Sequence, residues 1–342
     1  PVATLLVAMA PSPGAAGTFT VFGPETYLRG TAQPATVVKS FSVLDPAAEY
    51  FIRIHNGGLQ DGEYDKVSSS IVMLNGVQIV GPAEFNQNVT VVEKPVSLQS
   101  SNEIGVEVRS KPGGAIVVEI FGIDVVPPAI TASVSPAPNG AGWHASDATV
   151  SFTCTDETSG VAICPSPVVV TAEGAGQVIA GTAVDRAGNS TTTSASVSLD
   201  KTPPSVMASA GPPPNAAGWN NSDVVVATVC FDALSGVAVC PSPLAVTSEG
   251  TNQVVMAAAT DLAGNSATAG VTLNLDKTAP TLTASVSPAP NAQQWSNTDT
   301  TVSFEAQDAL SGLAAVSPPA IVTAEGMSQS VSGTATDRAG NT

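Results

Sequence analysis

Basic residues are scarce in this chain of 342 residues. Lys and Arg number 11 against 28 Asp and Glu, which gives a formal net charge of −17 at pH 7. A surface of this sign repels the phosphates of nucleic acids and of anionic membranes. No apolar run reaches the length of a transmembrane helix either. The sequence therefore predicts neither a nucleic-acid partner nor a membrane span within the chain.

Aromatic residues make up only 4% of the chain and charged residues 11%, whereas Gly and Pro number 30 and 27. Long helices have little to build on in such a mixture. Short strands of β-branched residues, separated by frequent turns, suit it well. We therefore predict an all-β protein.

Recognisable catalytic motifs are also lacking. The sequence contains no phosphate loop, nucleophile elbow, zinc-binding helix or redox CxxC. Its two histidines, His55 and His144, fall in different predicted domains and have no evident catalytic partner. Carboxylates are numerous but evenly spread, which argues against one special acid–base pair. We expect no enzyme in this chain.

What the chain does contain is a repeat with a period of 76 residues. Its only tryptophans, Trp143, Trp219 and Trp295, keep this spacing. Three series of aspartates keep it too: Asp124, Asp200 and Asp276; Asp156, Asp232 and Asp308; Asp185, Asp261 and Asp337. Equal spacing without insertions indicates three copies of one structural unit in tandem.

The cysteines follow the same period in two of the copies. Cys154 and Cys164 have their counterparts in Cys230 and Cys240, whereas both positions are apolar in the third copy. Joint loss is expected if the two thiols form one bond. We predict the disulfides 154–164 and 230–240, each stabilising by roughly 2.5–3 kcal/mol. Such bonds imply an oxidising compartment, and a zinc site is disfavoured because CxxC spacing and histidine partners are missing.

Each copy predicts at least five short strands with tight turns, which suits a small antiparallel β-sandwich. The runs "GTAVDRAGNS … VSLDKTPPSV" and "AAATDLAGNS … LNLDKTAPTL", with D-x-x-S-G and C-P-x-P, resemble bacterial immunoglobulin-like repeats of secreted and surface proteins, including hyalin-repeat-like modules. The resemblance covers residues 124–342. It implies an extracellular stalk or adhesion module, usually without catalysis.

The segment before the repeats follows another pattern. Ile71–Val80 reads as a hairpin around Asn75-Gly76, a pair that tolerates positive φ. About eight strands are predicted in all, so a jelly-roll-like sandwich is expected. Tyr27, Tyr50 and Tyr64 can stack on sugars, although such residues more often pack in cores or turns.

These patterns divide the chain into five segments: 1–17, a signal-peptide remnant or a donor strand; 18–123, the N-terminal β-sandwich; 124–199, 200–275 and 276–342, the three immunoglobulin-like repeats. The third repeat ends before its final strand. Truncation of a longer array explains this simply. Alternatively, residues 2–9 of a neighbouring chain fill the gap and build head-to-tail filaments.

Calcium is the one cofactor that the sequence suggests, since hard oxygen ligands at domain junctions can stiffen an array. The alternative is that these side chains only cap turns. The candidate ligands are Asp124, Asp185, Asn189, Asp200, Asp261, Asn265 and Asp276.

The function expected from these features is structural or adhesive: an extracellular stalk, adhesin or fibre subunit. The alternatives are the carbohydrate-binding accessory region of a larger secreted enzyme and the donor-strand filament. The expected partners are other copies of the chain, or a surface polysaccharide or protein.

Overall fold

A computed structural model describes residues 17–342 and is all-β, as predicted. The prediction for residues 1–17 lies outside the described residues, except for Gly17, where the first strand begins. The N-terminal segment forms eight strands and one 3₁₀ turn at Pro82–Glu84. The strands are β1 (Gly17–Leu28), β2 (Val37–Ser42), β3 (Glu49–Asn56), β4 (Ser70–Leu74), β5 (Val77–Val80), β6 (Val91–Val96), β7 (Ser101–Val108) and β8 (Ala115–Asp124).

These eight strands form two antiparallel sheets, in the orders β1-β8-β3-β6 and β2-β7-β4-β5. This arrangement is a jelly roll, as the sequence predicts; we call it the head domain. Asn75 and Gly76 connect β4 to β5 with φ of 50° and 80°, the left-handed values that the hairpin requires. Alternate residues of the strands face inward, and the two sheets enclose one hydrophobic core that includes Ile52, Ile104 and Ile120.

The repeats are built from shorter strands. The first contains β9 (Ala129–Ser135), β10 (Ala148–Thr155), β11 (Val161–Ile163), β12 (Val168–Val170), β13 (Gly174–Asp185) and β14 (Ser190–Leu199). The second contains β15 (Ser205–Gly211), β16 (Val224–Phe231), β17 (Val237–Val239), β18 (Leu244–Val246), β19 (Gly250–Asp261) and β20 (Ser266–Leu275). The third contains β21 (Thr281–Ser287), β22 (Thr300–Gln307), β23 (Leu313–Val316), β24 (Ala320–Val322) and β25 (Ala335–Asp337).

Each of the first two repeats has two three-stranded sheets, ordered β12-β10-β9 with β11-β13-β14, and β15-β16-β18 with β17-β19-β20. In the third repeat the sheets are β21-β22-β24 and β23-β25. The third-repeat residues that correspond to the first part of β19 are not in a strand. In the second repeat, this part of β19 pairs with β20. The strand β20 has no counterpart within residues 276–342.

The two disulfides are present. Cys154 bonds to Cys164 and Cys230 to Cys240, each with a Cα–Cα distance of 5.9 Å. In each bond the first cysteine lies in a strand of one sheet and the second follows a strand of the other sheet. The bond therefore staples the two sheets of a repeat together. Ala306 and Val316 occupy the equivalent positions of the third repeat.

The chain divides into two compact units. One contains the head domain and most of the first repeat: the chain up to Pro136, Ala148–Val170 and Gly176–Val197. The other contains the second and third repeats and the remaining loops of the first: Ala137–Asp147, Thr171–Ala175 and Ser198–Thr342. The first unit contains Asp124, Asp156 and Asp185, and the second contains Asp200, Asp232, Asp261, Asp276, Asp308 and Asp337.

Candidate metal centres and a cavity in the head domain

Three aspartates meet where the head domain joins the first repeat. Asp124 ends β8, Asp156 follows β10 and Asp185 ends β13. One carboxylate oxygen from each lies within 4.8 Å of the other two. Asp124 and Asp185 are each only 2% exposed, and Asp156 is half-buried. We call this group, and its equivalents one and two repeats later, an aspartate triad.

The same geometry recurs at the next two junctions. One triad consists of Asp200, Asp232 and Asp261, and the other of Asp276, Asp308 and Asp337. In all three, the first aspartate lies at the boundary between two domains, and the other two belong to the domain that follows, one just after a strand and one at the end of a strand. Each triad therefore joins two consecutive domains.

The motif D-x-x-S-G positions the middle aspartate. Asp156 Oδ1 accepts hydrogen bonds from Ser159 Oγ at 3.3 Å and from the Gly160 amide at 2.6 Å. Gly160 has a φ of 84°, which glycine adopts without steric cost. The Ser159 amide donates in turn to Asp124 Oδ2 at 3.1 Å. The turn thus holds Asp156 against the aspartate of the preceding domain.

The motif D-x-A-G-N positions the third aspartate. Asp185 Oδ1 accepts from the Asn189 amide, and Asp185 Oδ2 accepts from Asn189 Nδ2, both at 2.8 Å. Asn189 Nδ2 also donates to the backbone carbonyl of Asp124 at 3.1 Å. Asn265 and Asn341 repeat this last contact, at 2.9 Å each, with Asp200 and Asp276. These asparagines orient the aspartates through their amide nitrogens.

Within residues 17–342, none of the nine triad aspartates forms an ion pair with Lys, Arg or His. Backbone amides and Asn side chains supply only partial charges. Buried carboxylates in this state are usually paired or coordinate a metal. The triads have the oxygen donors that a hard divalent cation takes, with carbonyls or waters completing its shell.

The sequence identified part of this arrangement. The structure brings Asp124 together with Asp185, and Asp200 with Asp261, whereas Asn189 and Asn265 contact the aspartates through nitrogen. Sequence reasoning did not include the middle aspartates or Asp337 among the ligands. Their 76-residue spacing was the available signal, because it places them in the same series as the included residues.

Further contacts join consecutive repeats. Asn139 Nδ2 donates to the carbonyls of Leu262 and Ala263 at 2.8 and 3.0 Å. Asn215 makes the same pair of contacts with the third repeat, at 2.8 and 3.1 Å. The acceptors belong to the D-x-A-G-N turns that also carry triad aspartates. These hydrogen bonds therefore connect the D-x-A-G-N turns of the second and third repeats to a loop of the preceding repeat.

The three tyrosines of the head domain have different surroundings. Tyr27 lines a cavity of about 330 Å³. Burial, with a smaller contribution from Glu25, raises its pKa to about 12. Tyr50 is a core residue, 2% exposed, and its hydroxyl donates to the Asp45 carbonyl at 2.7 Å. Tyr64 lies half-buried in the loop between β3 and β4. Of the three, Tyr27 is the one that lines this cavity.

The histidines stay apart. His144 is buried, and its Nδ1 lies 3.1 Å from the Ser198 carbonyl. His55, on β3, lies 3.7 Å from a carboxylate oxygen of Glu119 through Nε2. Each therefore has a local partner in its own domain.

One face of the second repeat differs from its neighbours. Met207 and Val229 pair across β15 and β16, and Phe231 and Val225 lie on the same face of β16. All four are exposed, Met207 at 73%. The equivalent residues are Thr131, Thr153, Thr155 and Thr149 in the first repeat, and Thr283, Glu305, Gln307 and Thr301 in the third. The repeats thus share a fold but differ in the residues that they expose on this face.

Comparisons with known proteins add little to this geometry. No protein-family model and no curated protein matches the chain. One solved structure, a tetra-tandem repeat in the extending region of a large adhesion protein, is similar at 16% identity with a TM-score of 0.25, covering 92% of this chain and 95% of that one. At these values the similarity carries no argument about function. The described part of the chain has no helix with the length and hydropathy that a membrane span needs.

Proposed function

We propose that this chain is a non-catalytic extracellular protein of structural or adhesive type, in which tandem repeats carry the head domain and calcium binds at the junctions. The observation that supports it best is the recurrence of one buried aspartate triad at three successive junctions. A catalytic centre has no need of three equivalent copies at domain boundaries. Sites that fix the orientation of one domain on the next, by contrast, need one copy at each junction.

Calcium is favoured over other cations by the chemistry of the donors. The triads offer carboxylate oxygens without the nitrogen or sulfur ligands that zinc prefers. Magnesium demands near-ideal octahedral geometry and gives up its waters reluctantly, whereas calcium tolerates irregular shells of six to eight oxygens. Extracellular calcium modules bind with Kd of about 10⁻⁴–10⁻³ M. The disulfides are consistent with an extracellular location, because they form in oxidising compartments.

Bound calcium is expected to stiffen each junction because it removes the repulsion among three close carboxylates. The ion would be held by the aspartate at the domain boundary and by two aspartates of the domain that follows. At a calcium concentration about 100 times Kd, each site stabilises the folded state by about 2.7 kcal/mol.

The test is a calcium titration of the full chain after chelation, by calorimetry and by thermal unfolding. The triple variant Asp156→Asn, Asp232→Asn, Asp308→Asn removes one charge from each triad and keeps an oxygen for the Gly amide. We expect calcium to raise the Tm of the wild type and to leave the variant nearly unchanged.

A charge-matched control carries three exposed substitutions outside the triads: Glu157→Gln, Asp299→Asn and Glu325→Gln. It should respond to calcium as the wild type does. Equal calcium responses of the wild type and the triad variant, or magnesium binding as tight as calcium, would reject the calcium assignment.

The adhesive role needs a separate measurement. The calcium-loaded chain should bind an immobilised surface polysaccharide or surface protein, and it should show no turnover of the same molecules. Hydrolysis of any of them by the purified chain would contradict the non-catalytic assignment.

A further inference from the structure

The head domain contains a cavity that the adhesive proposal does not use. It lies between the end of β1, the start of β2, β7 and the loop of residues 30–36, and its volume is about 330 Å³. This is the lower end of the range for small-molecule sites. Its aliphatic wall includes Val37, Val106 and Val108, and its polar lining includes Tyr27, Arg29 and Gln33.

Two polar atoms of this lining are buried without a hydrogen-bond partner. They are Tyr27 Oη and Arg29 Nε, and they are the only such side-chain atoms among residues 17–342. Tyr27 as a whole is 5% exposed. Both residues line the cavity. Leaving a buried polar group unpaired is unfavourable, and more so if the group is charged. Two such groups in one cavity point to a missing partner.

The missing partner is a hydrogen-bond acceptor. Arg29 Nε can only donate. The Tyr27 hydroxyl is protonated at neutral pH, as tyrosine hydroxyls ordinarily are, so it can donate as well. Nearby acceptors are already engaged: the Glu25 carboxylate pairs with Lys39, and the carbonyls of Gly30 and Ala32 accept from Arg29 Nη1.

Charge and shape narrow the class of ligand. Arg29 and Lys39 against Glu25 leave one net positive charge at the cavity of an otherwise acidic chain. This favours a carboxylate, which forms strong hydrogen bonds with Arg. The valine wall suits the C–H face of a sugar ring, and Gln33 and Thr26 at the lining suit its hydroxyls.

We propose that this cavity binds a uronic acid, free or as a residue of an acidic polysaccharide, whose carboxylate accepts hydrogen bonds from Tyr27 Oη and Arg29 Nε. The two donor atoms are closed to solvent, so binding requires residues 30–36, which form no strand, to move aside. This site goes beyond the proposed function and does not depend on the calcium sites.

The test is a binding titration of the full chain in chelator with glucuronate and galacturonate. Glucose and galactose provide the same rings without the carboxylate, and acetate provides the carboxylate without the ring. We expect both uronates to bind at least about tenfold more tightly than any of these three, the factor that one charged hydrogen bond supplies. Polygalacturonate then shows whether the free or the polymeric form is preferred.

The decisive variant is Tyr27→Phe, which removes the hydroxyl and keeps the ring. It should weaken uronate binding about tenfold or more and leave the unliganded Tm equal or higher, because an unpaired buried hydroxyl is gone. Tyr64→Phe, outside the cavity, should bind as the wild type does. Uronates that bind no better than the neutral sugars or acetate, or a Tyr27→Phe variant that binds like the wild type, would overturn the proposal. Working in chelator separates this result from the calcium experiment.

Discussion

The head domain and the second repeat are stabilised in different ways. The head domain encloses one large core with buried Phe, Tyr and Ile side chains and contains no cysteine. The core cluster of the second repeat has four buried residues, Val224, Val226, Leu273 and Leu275, and the other buried hydrophobic residues of this repeat are alanines: Ala257, Ala259 and Ala263. Its two sheets are joined by a disulfide instead. Small domains bury a smaller fraction of their surface, so they depend more on such cross-links.

The third repeat shows that the cross-link and the triad are independent. It lacks both cysteines, yet its triad keeps the hydrogen bonds of the other two, with Gly312 N donating to Asp308 Oδ1 at 2.6 Å. The equivalent distance in the first two repeats is also 2.6 Å. The junction geometry therefore comes from the loops and not from the disulfide.

Truncation of a core side chain should produce the largest difference in stability between the head domain and the second repeat. Ile120→Ala in the head domain and Leu275→Ala in the second repeat both remove a fully buried side chain. Each should lower the free energy of unfolding by about 2–5 kcal/mol. We expect the head domain to remain folded and the second repeat to unfold at room temperature, because its core is so much smaller.

Intrinsic probes distinguish these outcomes. The three tryptophans lie in the repeats and the three tyrosines in the head domain. Urea unfolding followed by tryptophan fluorescence therefore reports on the repeats, and tyrosine near-UV circular dichroism reports on the head domain. A second repeat that tolerates Leu275→Ala as well as the head domain tolerates Ile120→Ala would show that core size does not set the difference.

Removing a disulfide should have the next largest effect. The double variant Cys154→Ala, Cys164→Val gives the first repeat the residues that the third repeat has naturally. Its free energy of unfolding should fall by roughly 2.5–3 kcal/mol, because the unfolded chain regains the entropy of an open loop. Chemical denaturation with and without a reductant measures this. The variant should be insensitive to the reductant at this site, and an unchanged stability would mean that the bond adds nothing.

The linker ion pairs should matter least. Lys201 Nζ lies 2.8 Å from Asp147, and Lys277 Nζ lies 2.8 Å from Asp223. All four side chains are more than one third exposed, so each pair should contribute about 0–1 kcal/mol. Lys201→Ala and Lys277→Ala should each shift the tryptophan-detected midpoint slightly and by similar amounts. A loss above about 2 kcal/mol would give the linker a larger role than its exposure indicates.

Much of the fold was predictable because its signals are local or periodic. Alternation along the chain identified the strands, Asn75-Gly76 identified a hairpin, and the joint loss of two cysteines indicated the pairing that is present. The sequence predicted a jelly-roll-like fold but not the order of its strands, because no local pattern shows which distant strands pair.

The aspartate triads were predictable in part. Turn motifs and linkers marked two aspartates of a triad as candidates, but the middle one reads equally well as a turn cap. Sequence spacing cannot show that Asp156 lies within 4.8 Å of Asp124, because the distance depends on how one domain docks on the next.

The sequence by itself determined the number of repeats, their strand content and their cross-links, because each of these depends on residues that are close in the chain or recur at a fixed interval. Only the tertiary structure decided which carboxylates converge, and that Tyr27 lines a cavity while Tyr50 packs in the core. Burial and proximity arise from the pairing of strands that are distant in the sequence. The position of a residue in the sequence does not show which distant residues it will contact.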